Sequence, residues 1–227
     1  MQFTINGPSD GPLFLFAHGA GASSDSEFMQ KIILGLADKG ICVVRFNFDY
    51  MQQRIETGSR RPPERAPKLI KQFEDKIKLL SHQKNRAMVI GGKSMGGRMA
   101  SLVASLFEEN NLTEVKGVAC LGFPFHPAGK LDKLRIDHFP FIQQKQLIIQ
   151  GTRDKLGSVD EVETYDLPNQ INWLWLEDGD HDLKPRVKSG FTHQAHLQKA
   201  IDHLAIFIKE TLEPVDLCSL NVVQQRV

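Results

Sequence analysis

Six short apolar runs most constrain the fold, because none alternates cleanly with polar residues. They lie at 13–17, 41–48, 87–90, 115–123, 146–150 and 172–176, and glycine, proline or polar turns bound them. A strand with one wet face alternates; an uninterrupted apolar strand needs cover on both faces, the condition of a parallel sheet. A further short strand is predicted at 2–5, on the edge. Helical periods fill the gaps. Phe28, Ile32, Ile33, Leu36 and Ala37 share one face, and so do Leu69, Phe73, Ile77 and Leu80 after the prolines at 62, 63 and 67. Helices are also predicted over 95–107 and around Ala200, Ile201, Leu204 and Ile208. Strands alternating with helices imply right-handed crossovers and a doubly wound, mostly parallel α/β sheet of about six to seven strands. No repeat or composition shift marks a linker, so residues 1–227 read as one domain, with a loose tail from about 213.

Charge and cysteine usage remove several classes of function. A net charge of +1 gives no basic field for nucleic acid. No run reaches the roughly 18 apolar residues of a membrane span, and the N-terminus has no basic n-region of a signal peptide. Cys42, Cys120 and Cys218 are far apart, with no C-x-x-C pair to suggest a disulfide framework or a zinc site. These features lead us to expect a cytoplasmic protein that acts on a small molecule, with no metal and no cofactor. They carry no signal for an oligomeric state.

Residues 88–101, MVIGGKSMGGRMAS, admit two chemistries. Gly92-Lys93-Ser94 resembles the end of a phosphate-binding loop, and Gly92 to Gly96 also fits G-x-S-x-G. A P-loop needs its first glycine at 87, to open a wide loop before the lysine. Position 87 is alanine, and a strand runs directly into Gly91, so no loop fits. The nucleophile elbow needs a strand, a turn of about two residues flanked by small side chains, and a helix. Gly92, Gly96 and Gly97 meet that requirement and place Ser94 at a helix N-terminus.

An elbow serine needs an acid and then a base past later strand ends. The strand at 146–150 leads into GTRD with Asp154, and the strand at 172–176 into EDGDHDL with His181. Asp160, Asp178 and Asp180 remain alternatives for the acid. The strand at 13–17 ends in HGAGAS, a turn able to supply an oxyanion N–H from Ala20 or Gly19, with His18 holding the turn.

In this order, HGAGAS, GGKSMGG, GTRD and DGDHDL resemble the α/β-hydrolase superfamily over residues 13 to about 210. The likeness is to its small lidless branch, the dienelactone-hydrolase-like proteins and the testis-expressed hydrolase-like group; RFNFDYM followed by RRPPERAPKL is similar to the second. The resemblance implies Ser94, Asp154 and His181 as a triad and the Met95 N–H in the oxyanion hole. Dienelactone hydrolase itself carries cysteine where this chain has Ser94, and several members of the testis-expressed group have no established activity.

Hydrolysis of a small soluble carboxylic ester, thioester or amide is the expected function; a catalytically silent hydrolase-like binding module is the alternative. Lys93 reads as support for a neighbouring acid or, with the basic loop Arg54, Arg60, Arg61 and Arg65, as a contact for an anionic acyl substrate. Tyr50 and Met51 are expected at the strand's site edge, lining the pocket. The segment 122–143 occupies the usual cap position but is too short and polar for a lipase lid. A shallow, open site is therefore expected.

Overall fold

A computed structural model describes residues 3–84 and 86–213. Seven strands form one sheet: β1 (Thr4–Asn6), β2 (Leu13–Ala17), β3 (Cys42–Phe46), β4 (Met88–Lys93), β5 (Val115–Leu121), β6 (Lys145–Gly151) and β7 (Ile171–Leu176). Their spatial order is β1-β3-β2-β4-β5-β6-β7. All neighbours pair in parallel except β1, which runs antiparallel to β3 at the edge. Every predicted strand is present. All residues of β2, β3 and β4 are buried, the consequence of cover on both faces.

The helices divide between the faces. α1 (Glu27–Asp38) and α7 (His193–Leu212) cover one face, where Ile32, Leu36, Leu204 and Ile208 pack on Phe14, Val43 and Ile149. α2 (Asp49–Thr57), α3 (Ala66–Lys84) and α4 (Met95–Ser105) cover the other, where Phe73, Ile77 and Val103 meet Val44, Ile90 and Cys120. Short helices α5 (Phe107–Asn110) and α6 (Val159–Val162) complete the set among the described residues, and α6 carries a capping box of Ser158 and Glu161. The Thr192 side chain caps α7 by accepting from the Ala195 N–H at 3.1 Å.

Three expectations shift. The run at 41–48 stops as a strand at Phe46; Phe48 then caps α2, and Gly58 in the left-handed region closes it by donating to the Arg54 carbonyl at 2.9 Å. Tyr50 and Met51 consequently lie on a helix and face the core. The helix expected over 95–107 ends at Ser105, and α5 follows. Gln2 and the tail expected from about 213 fall, apart from Glu213, outside the described residues. Among the described residues no helix is long and apolar enough to cross a membrane. The segment 122–143 forms no large cap; a single 3-10 turn, Phe139–Phe141, is its regular structure.

Candidate active site

The elbow holds a non-glycine residue at positive φ in the wall of the cleft. Ser94 has φ 52° and ψ −115°, a conformation that costs a non-glycine residue roughly 1–3 kcal/mol and must be imposed by its surroundings. The imposition is visible. Lys93 is in register with Leu121, and the Ser94 N–H donates to the Leu121 carbonyl at 2.9 Å. The Arg98 N–H donates to the Ser94 carbonyl at 3.0 Å, which starts α4. The glycines allow close approach: a methyl on Gly92 would lie 2.3 Å from the Gly96 carbonyl carbon, and one on Gly96 2.5 Å from the Ala17 oxygen. Met95 follows as the first residue of α4, where a helix leaves its N–H groups without intrahelical acceptors.

His181 and Asp154 arrive on the loops after β7 and β6, at the same C-terminal edge of the sheet. His181 Nε2 lies 2.8 Å from Ser94 Oγ, and its Nδ1 lies 2.8 Å from Asp154 Oδ2. A carboxylate only accepts, so Nδ1 carries the proton and Nε2 is free to accept from the serine hydroxyl. Asp154 is fully buried, and its Oδ1 accepts from the Leu156 N–H at 2.9 Å. Its Oδ2 also accepts from Gln150 Nε2 at 2.9 Å. Gln150, in β6, is itself fully buried and joins Asp154 to the Phe123 N–H, the Phe123 carbonyl and the Gly157 carbonyl.

Two of the alternative acids are engaged elsewhere, and the third stands on another element. Asp178 pairs with Arg186 and Arg153; the Arg186 hydrogen bonds outweigh burial and hold its carboxyl down near 2. Asp180 accepts from the N–H groups of Asp182 and Lys184, and Asp160 lies in the first turn of α6.

Register also sets the turn after β2, since Ala17 pairs with Gly92. His18, fully buried, faces the Gly19 carbonyl through Nδ1 at 2.7 Å and accepts from the Phe48 N–H at Nε2, 3.1 Å away. Burial lowers its pKa to about 4, helped by Arg54 and opposed by the Gly19 carbonyl, so it stands neutral as a brace. The Tyr50 hydroxyl adds a second brace, donating to the Ala20 carbonyl at 3.0 Å. That hydroxyl lies against the turn's carbonyls, so Tyr50 supports the site rather than lining it; burial raises its pKa. Met51 belongs to the core.

Ser94, Met95 and Ala20 line a cleft of about 450 Å³. Its far wall is Pro124, His126 and Arg135 from the segment 122–143, which acts as a side of the cleft. The expected cationic contacts lie elsewhere. Lys93 does not line the cleft; its Nζ donates to the His181 carbonyl at 2.8 Å and pairs with Asp182 at 3.2 Å. It also sits 5.5 Å from the Phe28 ring centre, and burial lowers its pKa against the pull of Asp182. Arg60 and Arg61 are exposed in the connection between α2 and α3 and are not among the cleft's lining residues, which take up the chain from Pro63 and Glu64 onward. The arginines in the wall are instead Arg98 and Arg135. Arg98 was legible as the residue four past Ser94 on one helix, since i and i+4 share a face. Gln150, His126 and Arg135 carry no comparable signal.

A family model described as an alpha/beta hydrolase domain matches residues 10–209. Among solved structures, an esterase domain from Rhodothermus marinus superposes with a TM-score of 0.65 at 18% identity, covering 92% of each chain. Dienelactone hydrolase from Anabaena variabilis gives 0.66 at 16% identity over 93% of this chain and 92% of that one. A serine hydrolase without a lid from Xanthomonas campestris gives 0.62 at 17% identity over 88% and 86%. At these identities the likeness is one of fold. With the family match spanning nearly the whole sheet and the helices that flank it, the chain belongs to the alpha/beta hydrolase domain family.

Proposed function

We propose that the chain is a serine hydrolase that cleaves a small soluble carboxylic ester, or a related thioester or amide, through an acyl-enzyme. The supporting observation is the pair of 2.8 Å contacts joining Ser94, His181 and Asp154 at the wall of a cleft. Ser94 Oγ attacks the acyl carbonyl carbon while His181 Nε2 takes its proton. The carbonyl oxygen gains charge and is met by the N–H groups of Met95 and Ala20, each such donor being worth about 10²–10³ in rate. His181 then delivers the proton to the leaving atom as its bond to the carbonyl carbon breaks. Water repeats the attack on the acyl-serine and releases the acid. Asp154 stays ionised, keeps the proton on Nδ1 and stabilises the imidazolium. That solved structures named as an esterase domain and as a serine hydrolase share the fold supports this class of reaction. The buried, unpaired thiols of Cys42 and Cys120 support a reducing compartment such as the cytoplasm.

Labelling with a fluorophosphonate probe tests the reading. Wild type should label and Ser94→Ala should not. On p-nitrophenyl esters Ser94→Ala should lose roughly 10⁴–10⁶ in kcat. A chain that labels in neither form would be a silent binding module, and turnover unaffected by Ser94→Ala would refute the mechanism.

A further inference from the structure

The cleft holds two guanidinium groups that the hydrolytic steps do not use. Arg98 lies four residues beyond Ser94 on α4, and helical side chains lean toward the N-terminal turn, which for Arg98 is the turn that carries the nucleophile. Arg135 enters from the facing wall, where its backbone N–H donates to the Phe125 carbonyl at 2.8 Å. Among the described residues neither arginine forms an ion pair with a carboxylate, and Arg98 Nε is buried without a hydrogen-bond partner.

The nearby polar groups do not neutralise this charge. Glu64, also in the wall, is held by Lys68 and by Gln72 Nε2 at 2.9 Å. His138 is turned onto Ser101 Oγ at 2.7 Å, and burial together with Arg98 lowers its pKa to about 4, so it is neutral. His126 Nε2 is buried without a hydrogen-bond partner, 3.6 Å from Glu161. Burial depresses the pKa of Arg98 and Arg135 alike, and the charge of Arg135 depresses Arg98 further. Two like charges that are partly desolvated and unpaired beside a nucleophile repel each other until an anion arrives. Guanidinium binds carboxylate and phosphate oxygens through paired N–H donors.

The geometry points to an anion subsite formed by Arg98 and Arg135, which selects acyl compounds carrying a carboxylate or phosphate group away from the scissile bond. It rests on the hydrolase reading for its reaction and deepens it by naming the substrate's charge. The neutral part of the substrate would lie along Pro124, Met95 and Leu69, and the anionic end between the two guanidiniums.

Three p-nitrophenyl esters of matched length test it: hexanoate, the mono-adipate and 6-phosphonohexanoate. Wild type should favour one or both anionic esters in kcat/KM, and the stronger of the two identifies the anion. Arg98→Gln and Arg135→Gln should each lower the anionic-to-neutral ratio by about tenfold or more, the worth of a charge-assisted hydrogen bond. Arg98→Lys should restore part of it.

Binding of the uncleaved esters to Ser94→Ala, followed by calorimetry, reads the subsite without chemistry. Tighter binding of an anionic ester, lost on adding Arg135→Gln, is expected. A protein that binds the anion but cleaves nothing overturns the hydrolase reading and leaves the subsite standing. Cleavage with no preference for charge, or a ratio unmoved in both arginine variants, overturns the subsite alone.

Discussion

Lys93 shows how far adjacency in sequence differs from adjacency in a site. It precedes Ser94, and its charge invites assignment to the substrate, yet its Nζ is taken up by the His181 carbonyl and Asp182. It thereby fastens the His181 carbonyl to the strand that leads into Ser94. Lys93→Met keeps the bulk and removes that bond, so kcat/KM should fall about tenfold, for the loss of one charge-assisted hydrogen bond. The fall should be equal on the hexanoate and mono-adipate esters; steady-state kinetics on both checks this, and a loss confined to the adipate would return Lys93 to the substrate. The convergence of Ser94, Asp154 and His181 was legible because each follows a strand at one sheet edge. Gln150 was not, since a lone glutamine inside an apolar run gives no hint that four hydrogen-bonding groups depend on it. Arg135 stands in an irregular segment, where no period relates its position to Ser94.

At the level of elements, continuous apolar runs identified the six parallel strands, because burial on both faces leaves a plain mark in composition; β1, exposed at the edge, carries no such mark. α2 escaped because its polar residues outnumber its two buried ones, Tyr50 and Met51, which read equally well as the end of a strand. Its signal was Gly58, a left-handed stop. The elbow tolerates little change. Gly92→Ala would set a methyl against the backbone of Gly96, Gly97 and Ala17, which cannot swing aside as a side chain would. A destabilisation above about 4 kcal/mol, or failure to fold, is expected. Gly21→Ala, whose methyl would meet nothing within 4 Å, should cost less than about 1 kcal/mol. Urea titration of the two variants compares them directly, and equal midpoints would contradict the packing described.

For the whole molecule, parallel pairing brings the ends of β2, β4, β6 and β7 to one edge, so four distant loops meet in one site. The same packing leaves His18 and His138 with pKa values near 4, below the usual 6.5, chiefly through burial. Between those values the unfolded chain binds protons that the folded chain refuses, so stability falls as pH falls. His18, the fully buried one, should contribute a loss of about 2 kcal/mol by pH 5, and His138 less. Asp178, held near 2, stays ionised across that window and adds no slope. Thermal melting should therefore drop by about 5 °C from pH 8 to pH 5; a flat Tm would mean that one or both histidines are solvated.

The contact between Lys93 and the loop bearing His181 has a consequence for ancestry. A buried ammonium cannot lose its carboxylate partner without penalty, and Asp182 reaches it from the exposed rim. Positions 93 and 182 should then be inherited as a couple across descendant chains, drifting to an apolar pair together or not at all. Gly92 and Gly96 answer to the backbone around them and are free of any such bargain.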